Sequence, residues 1–180
     1  MIKSYIINCK TSALFSYFYN GYEYSQVIEG DLSFLVSQSP NEIVKASFLY
    51  AGHELNGAIK SSRSILKGRN KLPVALSAQQ NIILIRCNSK KDGTMWLVQS
   101  HIYDIEPLPP NQTIVHLIGG HSLIIDVNTD RLQNRQNQAT FLRTTLLERS
   151  KMEKNMIFLY EKEKSILLVK EEGQINFTEK

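Results

Sequence analysis

The sequence predicts an α+β fold: a mainly antiparallel sheet with two helices before the main sheet and one long helix after it. Three observations predict it. Apolar runs of strand length, such as Ile82-Ile83-Leu84-Ile85, are separated by glycine-containing turns. From Pro73 onward the hydrophobic period drops to two or becomes continuous. Capping residues at Ser39 and at Asn128-Thr129-Asp130 open segments of helical period.

The elements follow in order. Tyr5 to Cys9, Tyr24 to Glu29 and Leu32 to Ser37 are expected as strands, the last two joined by a two-residue turn at Gly30-Asp31. Ser39, Pro40 and Glu42 form a capping box with proline in the first turn, and that helix runs to about Gly52. A second helix starts near His53 or Glu54. Helical spacing puts Lys60, Arg63 and Lys67 on one side of it and Leu55, Ala58, Ile59, Ile65 and Leu66 on the other. One face is basic and the opposite face apolar. Gly68 is expected to end this helix, leaving Gly68-Arg69-Asn70-Lys71 as a basic loop.

Further strands are expected at Asn81–Cys87, Met95–Tyr103, Thr113–Ile118 and Ser122–Val127, with Gly119-Gly120 as a hairpin turn. A helix follows from about Asp130 to Lys151, burying Leu132, Ala139, Leu142 and Leu146. Met156–Tyr160 and Ile166–Val169 read as a last strand pair around Glu161-Lys162-Glu163-Lys164. Ile175-Asn176-Phe177 reads as a strand or a degradation tag. The domain expectation is a single unit over residues 1–180, with 152–180 as a C-terminal hairpin or tail.

Composition narrows the function classes. Apolar residues are 42% and charged residues 21%, which excludes a disordered or fibrous chain. No window approaches the ~18 apolar residues of a membrane span, and no secretory leader is visible. Cys9 and Cys87 are too few for a disulfide framework and are expected as reduced thiols in a cytoplasmic protein. The net charge of +4 is unevenly spread. Residues 42–92 hold nine Lys and Arg against three carboxylates, a surplus of six. Residues 129–151 hold five against two, a surplus of three. Residues 93–128 hold three carboxylates and no Lys or Arg. Such segregation favours a polyanion, nucleic acid before an anionic membrane.

Catalytic signatures are missing. No glycine-rich dinucleotide motif, Walker loop or Gly-x-Ser-x-Gly elbow occurs. His116 and His121 have no carboxylate or thiol near them in sequence, so no metal site and no cofactor is expected. Cys87 reads as a packed thiol, Trp96 as a sheet residue, and Gly52 and Gly57 as helix-end and close-packing positions.

The order of the motifs resembles the bacterial competence transcription factor family, ComK. The blocks are Ile43-Val44-Lys45-Ala46-Ser47 with Gly52 and Gly57, Lys71-Leu72-Pro73-Val74, Asn81-Ile82-Ile83-Leu84, Trp96 with His101, and Ala139-Thr140-Phe141-Leu142-Arg143-Thr144. They span roughly Ile43 to Thr144. Leu72 replaces a proline of the family pattern, and Ala58 and Ile59 stand where the family has a basic pair, so the chain has the look of a divergent paralogue. The resemblance implies an activator of DNA-uptake genes that binds A·T-rich double-stranded DNA in the minor groove as a homo-oligomer, in the cytoplasm at the nucleoid. It also implies a proteolytic adaptor, and RNA polymerase is expected as a partner; the missing catalytic motifs and apolar span leave no enzyme activity and no membrane partner expected.

The charge pattern supplies the candidate residues. Arg63 and Arg69 are expected to read the groove, Lys60, Lys67 and Lys71 to contact phosphates, and Asn70 to accompany them. Arg131, Arg135 and Arg143 stand as DNA contacts or as plain helix surface, and Arg135 could pair with Asp130 or Asp126. Phe141 stands as a dimer contact, a wedge between base steps, or part of a second buried face. Two rival functions remain open: a protein-interaction paralogue that tunes an active relative by hetero-oligomerisation, and a small-ligand sensor.

Overall fold

The computed structural model describes the backbone of residues 1–68, 70–89, 93–162, 166–171 and 174–179, and the side chains of residues 1–68, 70–87 and 93–151. The chain forms two compact units, Met1–Thr145 and Leu146–Lys180. The first unit is α+β, as its periodicity requires.

Its main sheet has six antiparallel strands: β1 (Thr11–Tyr19), β2 (Tyr22–Glu29), β3 (Leu32–Val36), β4 (Val74–Ser77), β5 (Ile82–Ser89) and β6 (Gly93–Val98), in the order β3-β2-β1-β6-β5-β4. Helices α1 (Pro40–Tyr50) and α2 (Leu55–Leu66) cover one face. Leu14, Val27, Ile82, Leu84 and Trp96 pack there against Ile43, Val44 and Phe48. The intervening residues Ala13, Ile83, Ile85 and Leu97 are also buried, so β1, β5 and β6 lie between two packed layers.

Helix α1 begins as its sequence requires. Ser39 Oγ accepts from the Glu42 amide, and the Glu42 carboxylate accepts from the Ser39 amide. Hydrogen bonds from the Ser39 amide and the Ser39 hydroxyl hold the Glu42 carboxyl below its usual range. The helix ends at Tyr50, and Gly52 just beyond its cap has a φ of +84°, which suits glycine. There Gly52 N–H donates to Leu49 and His53 N–H to Phe48, and the His53 ring packs edge-on to Phe48.

After β6 the chain makes a 3-10 turn at Gln99–His101 and leaves the sheet. It then forms a second, three-stranded antiparallel sheet from β7 (Ile102–Leu108), β8 (Gln112–Leu117) and β9 (Ser122–Ile125). The single strand expected over Met95–Tyr103 is therefore two strands of different sheets. The corner is held by a 2.8 Å hydrogen bond between Ser12 Oγ and His101 Nδ1. At the β8–β9 turn Gly119 has a φ of +101°, and a Cβ there would collide with the Gly30 carbonyl. The Gly30-Asp31 turn and the Gly119-Gly120 turn thus touch through backbone.

Three further expectations are corrected. Tyr5–Cys9 is not a strand: Tyr5 N–H donates to Gln38 Oε1 and Ile7 N–H to Ser47 Oγ, so side chains take the donors a ladder would use. The strand lies later, at β1. Its first four residues are all buried, so no alternation marks it. Lastly, α3 runs from Thr129 to Lys162, so Met156–Tyr160 is helical and not a strand. In the second unit, Ile166–Val169 pairs instead with the segment holding Ile175-Asn176-Phe177, as β10 (Ile166–Glu171) and β11 (Gln174–Glu179). Glu163 and Lys164 lie outside the described residues.

Candidate nucleic-acid interface

Helix α2 presents the expected two faces. Leu55, Ala58 and Ile59 pack on the core, while Lys60, Arg63 and Lys67 are exposed. Ala58 and Ile59 are therefore inward residues, and the basic outer face does not involve them. Gly57 is exposed, and a Cβ on it would meet nothing, so close packing does not explain this glycine. The helix stops one residue early: Lys67 itself, not Gly68, takes the left-handed cap position with φ of +51°. Asn70 and Lys71 follow in an exposed loop, Lys71 also at positive φ. Arg69 lies outside the described residues.

The loop brings the two basic segments together. Arg63, Asn70 and Lys71 line a cleft of about 140 Å³ with Arg86 and Trp96. Lys71 also lines a second cleft, of about 510 Å³, with Arg131, Arg135, Asn111, Asp126 and Asp130. A band rich in cations, with Asp126 and Asp130 among them, thus runs from α2 through Lys71 to the first turns of α3. Sequence spacing gives no hint of this meeting.

The arginines of α3 divide. Arg131 is exposed at the second cleft. Arg135 donates to the Arg86 carbonyl at 3.0 Å and reaches Cys87 Sγ at 3.7 Å. Arg143 Nε donates to the Ala78 carbonyl at 3.1 Å. Both tie α3 to β5 and the turn before it. Leu132, Ala139 and Leu142 are buried as expected, and Leu146 is half-buried. Phe141 is 58% exposed, so no second buried face forms around it.

Arg86 belongs to the basic surplus but is not among the residues that the charge pattern singles out. Its guanidinium lies 5.6 Å from the centre of the Trp96 ring. Trp96 Nε1 donates to Asn41 Oδ1, which fixes the ring beneath it. The usable signal is an arginine directly after four apolar residues, cross-strand from the lone tryptophan.

Other candidate chemistry stays apart. Burial pushes the Cys87 thiol up, against the opposing charge of Arg135. The second sheet brings Glu106 within 3.5 Å of His116, a carboxylate that sequence distance hides. Among the described residues, no group of three or more His, Cys, Asp or Glu could hold a metal ion. Nor is any described helix long and apolar enough to cross a membrane.

The family model described as ComK protein matches residues 2–151. The chain belongs to the ComK family. The match extends well beyond the Ile43–Thr144 blocks, chiefly on the N-terminal side. The competence transcription factor of Bacillus subtilis is 23% identical over 149 residues, covering 82% of this chain and 78% of that protein. No solved structure matches the chain.

Proposed function

We propose that this ComK-family protein is a DNA-binding activator of competence genes that recognises A·T-rich boxes through the minor groove. The observation that carries this reading is the position of Lys71 in both clefts, which joins the two basic segments into one band. Support also comes from the similarity to a protein named as a competence transcription factor. The protein acts in the cytoplasm at the nucleoid, as a homo-oligomer, with RNA polymerase and a proteolytic adaptor as partners. It needs no cofactor and performs no catalysis.

Each part of the band has a physical task. Lys60, Lys67 and Lys71 neutralise phosphates and release counterions, which supplies affinity without sequence. Arg63 and Arg69 enter the groove, with Asn70 beside them and Arg131 extending the phosphate contacts. A·T tracts narrow the minor groove and deepen its negative potential, favouring inserted arginine. The groove separates A·T from G·C and little else, which suits a box defined by A·T content.

Fluorescence anisotropy on two duplexes of equal length, one with A·T boxes and one G·C-rich, tests the proposal. A preference for A·T that persists at physiological salt is the expected result. Equal, weak binding to both at that salt contradicts minor-groove recognition and favours the protein-interaction alternative.

A further inference from the structure

The second sheet has one face without a cover. Strand alternation puts Thr113, Val115, Leu117 and Ile125 on its buried face. On the other face Asp104, His116 and Ser122 form one cross-strand row, and Glu106, Ile114 and Ile124 form the next. Beyond them Gln112 donates to Asp126. Ile124 is 59% exposed, and Asp104, Glu106 and Ser122 are exposed as well. Solvent, not a packed layer, therefore meets this face. An isoleucine pair bordered by polar and acidic groups has the make-up of an interface centre with its rim.

The side chains of this face hold one another in place. His116 Nδ1 and Ser122 Oγ lie 2.8 Å apart, and His116 Nε2 lies 3.5 Å from Glu106. Asp104 Oδ1 accepts from the Ile105 amide. Groups ordered in advance lose less freedom when a partner arrives.

Charge selects the occupant. Residues 93–128 contain Asp104, Glu106 and Asp126 and no Lys or Arg. The fold gathers all three carboxylates on this one face. Phosphates of nucleic acid or of an anionic membrane are repelled there. A second copy using the same face would set carboxylate against carboxylate. Asp126, at the margin, also lines the second cleft with Lys71 and Arg131, so cation contacts fall to the Asp104 and Glu106 side. We infer that the outer face of the second sheet docks a protein segment that carries Lys or Arg beside apolar side chains. Ile114 and Ile124 take the apolar groups, and Asp104 and Glu106 take the cations. The inference stands independently of DNA binding.

Titration of the isotope-labelled full chain with a short synthetic peptide of alternating leucine and lysine tests it, read by backbone amide shifts. Shifts centred on β7, β8 and β9 are expected. A folded variant with Asp104→Asn, Glu106→Gln and Ile124→Thr is expected to raise the peptide dissociation constant by about tenfold or more. The matching serine–lysine peptide is expected to bind far more weakly, since it lacks the apolar groups. Absent shifts, shifts centred elsewhere, equal binding by the variant, or equal binding of the serine–lysine peptide each overturn the inference. DNA affinity measured on the same variant is expected not to weaken, which separates failure here from failure of the DNA reading.

Discussion

At the scale of the residue, Lys67 shows strain and function at one position. A lysine at φ of +51° sits where glycine is favoured, at the end of the basic face of α2. Replacing it with glycine is expected to stabilise the fold by about 1 kcal/mol. The same change is expected to weaken DNA affinity, because a phosphate contact is lost. Chemical denaturation and anisotropy on one sample check both signs. His101 makes a second case. Burial lowers its pKa, against a partly opposing backbone hydrogen bond at Cys9. The unfolded chain therefore binds this proton first as pH falls, and folded stability drops through the ordinary histidine range. The midpoint of thermal unfolding is expected to fall between about pH 7 and about pH 5, and to fall less in His101→Asn. At this scale the exposed face of Lys60, Arg63 and Lys67 is legible in the sequence, since helical period alone sets it. The role of Arg143 is not, because its acceptor at Ala78 lies 65 residues away.

At the scale of the element, local signals hold wherever local bonds make the structure. The capping box at Ser39 and Glu42 is present as expected. Ser39→Ala is expected to cost about 1 kcal/mol, read by urea denaturation. The Gly30-Asp31 and Gly119-Gly120 turns also form where expected. Pattern misleads where tertiary context overrides it. Strand β1 has no alternation at its start because that end is buried on both sides. Asn20-Gly21 between aromatic residues is the hairpin signal that marks it instead. Met95–Tyr103 looks continuous because apolar residues flank the polar corner Gln99-Ser100-His101 on both sides and no glycine or proline marks it. Helix α3 overruns Lys151 because Met156-Ile157-Phe158-Leu159-Tyr160 suits either a strand or a helix.

At the scale of the whole molecule, charge is sorted by the fold. The strand order puts β1, β2 and β3 on one half of the main sheet and β4 and β5 on the other. The first half carries no Lys or Arg in its strands, and the second lies beside α2 and Lys71. The α+β class and the basic bias are legible from periodicity and from counting. The meeting of residues 60–71 with Arg131 is not, since it depends on how α3 returns to the sheet. The central claim is that this band is the DNA-binding surface. The most direct measurement is the dependence of DNA affinity on salt for the wild type and for a folded variant with Lys60→Gln, Lys67→Gln and Lys71→Gln. Loss of three phosphate-facing cations is expected to flatten the slope of log affinity against log salt by about 2.7. A slope unchanged from the wild type would contradict the assignment of this band to DNA.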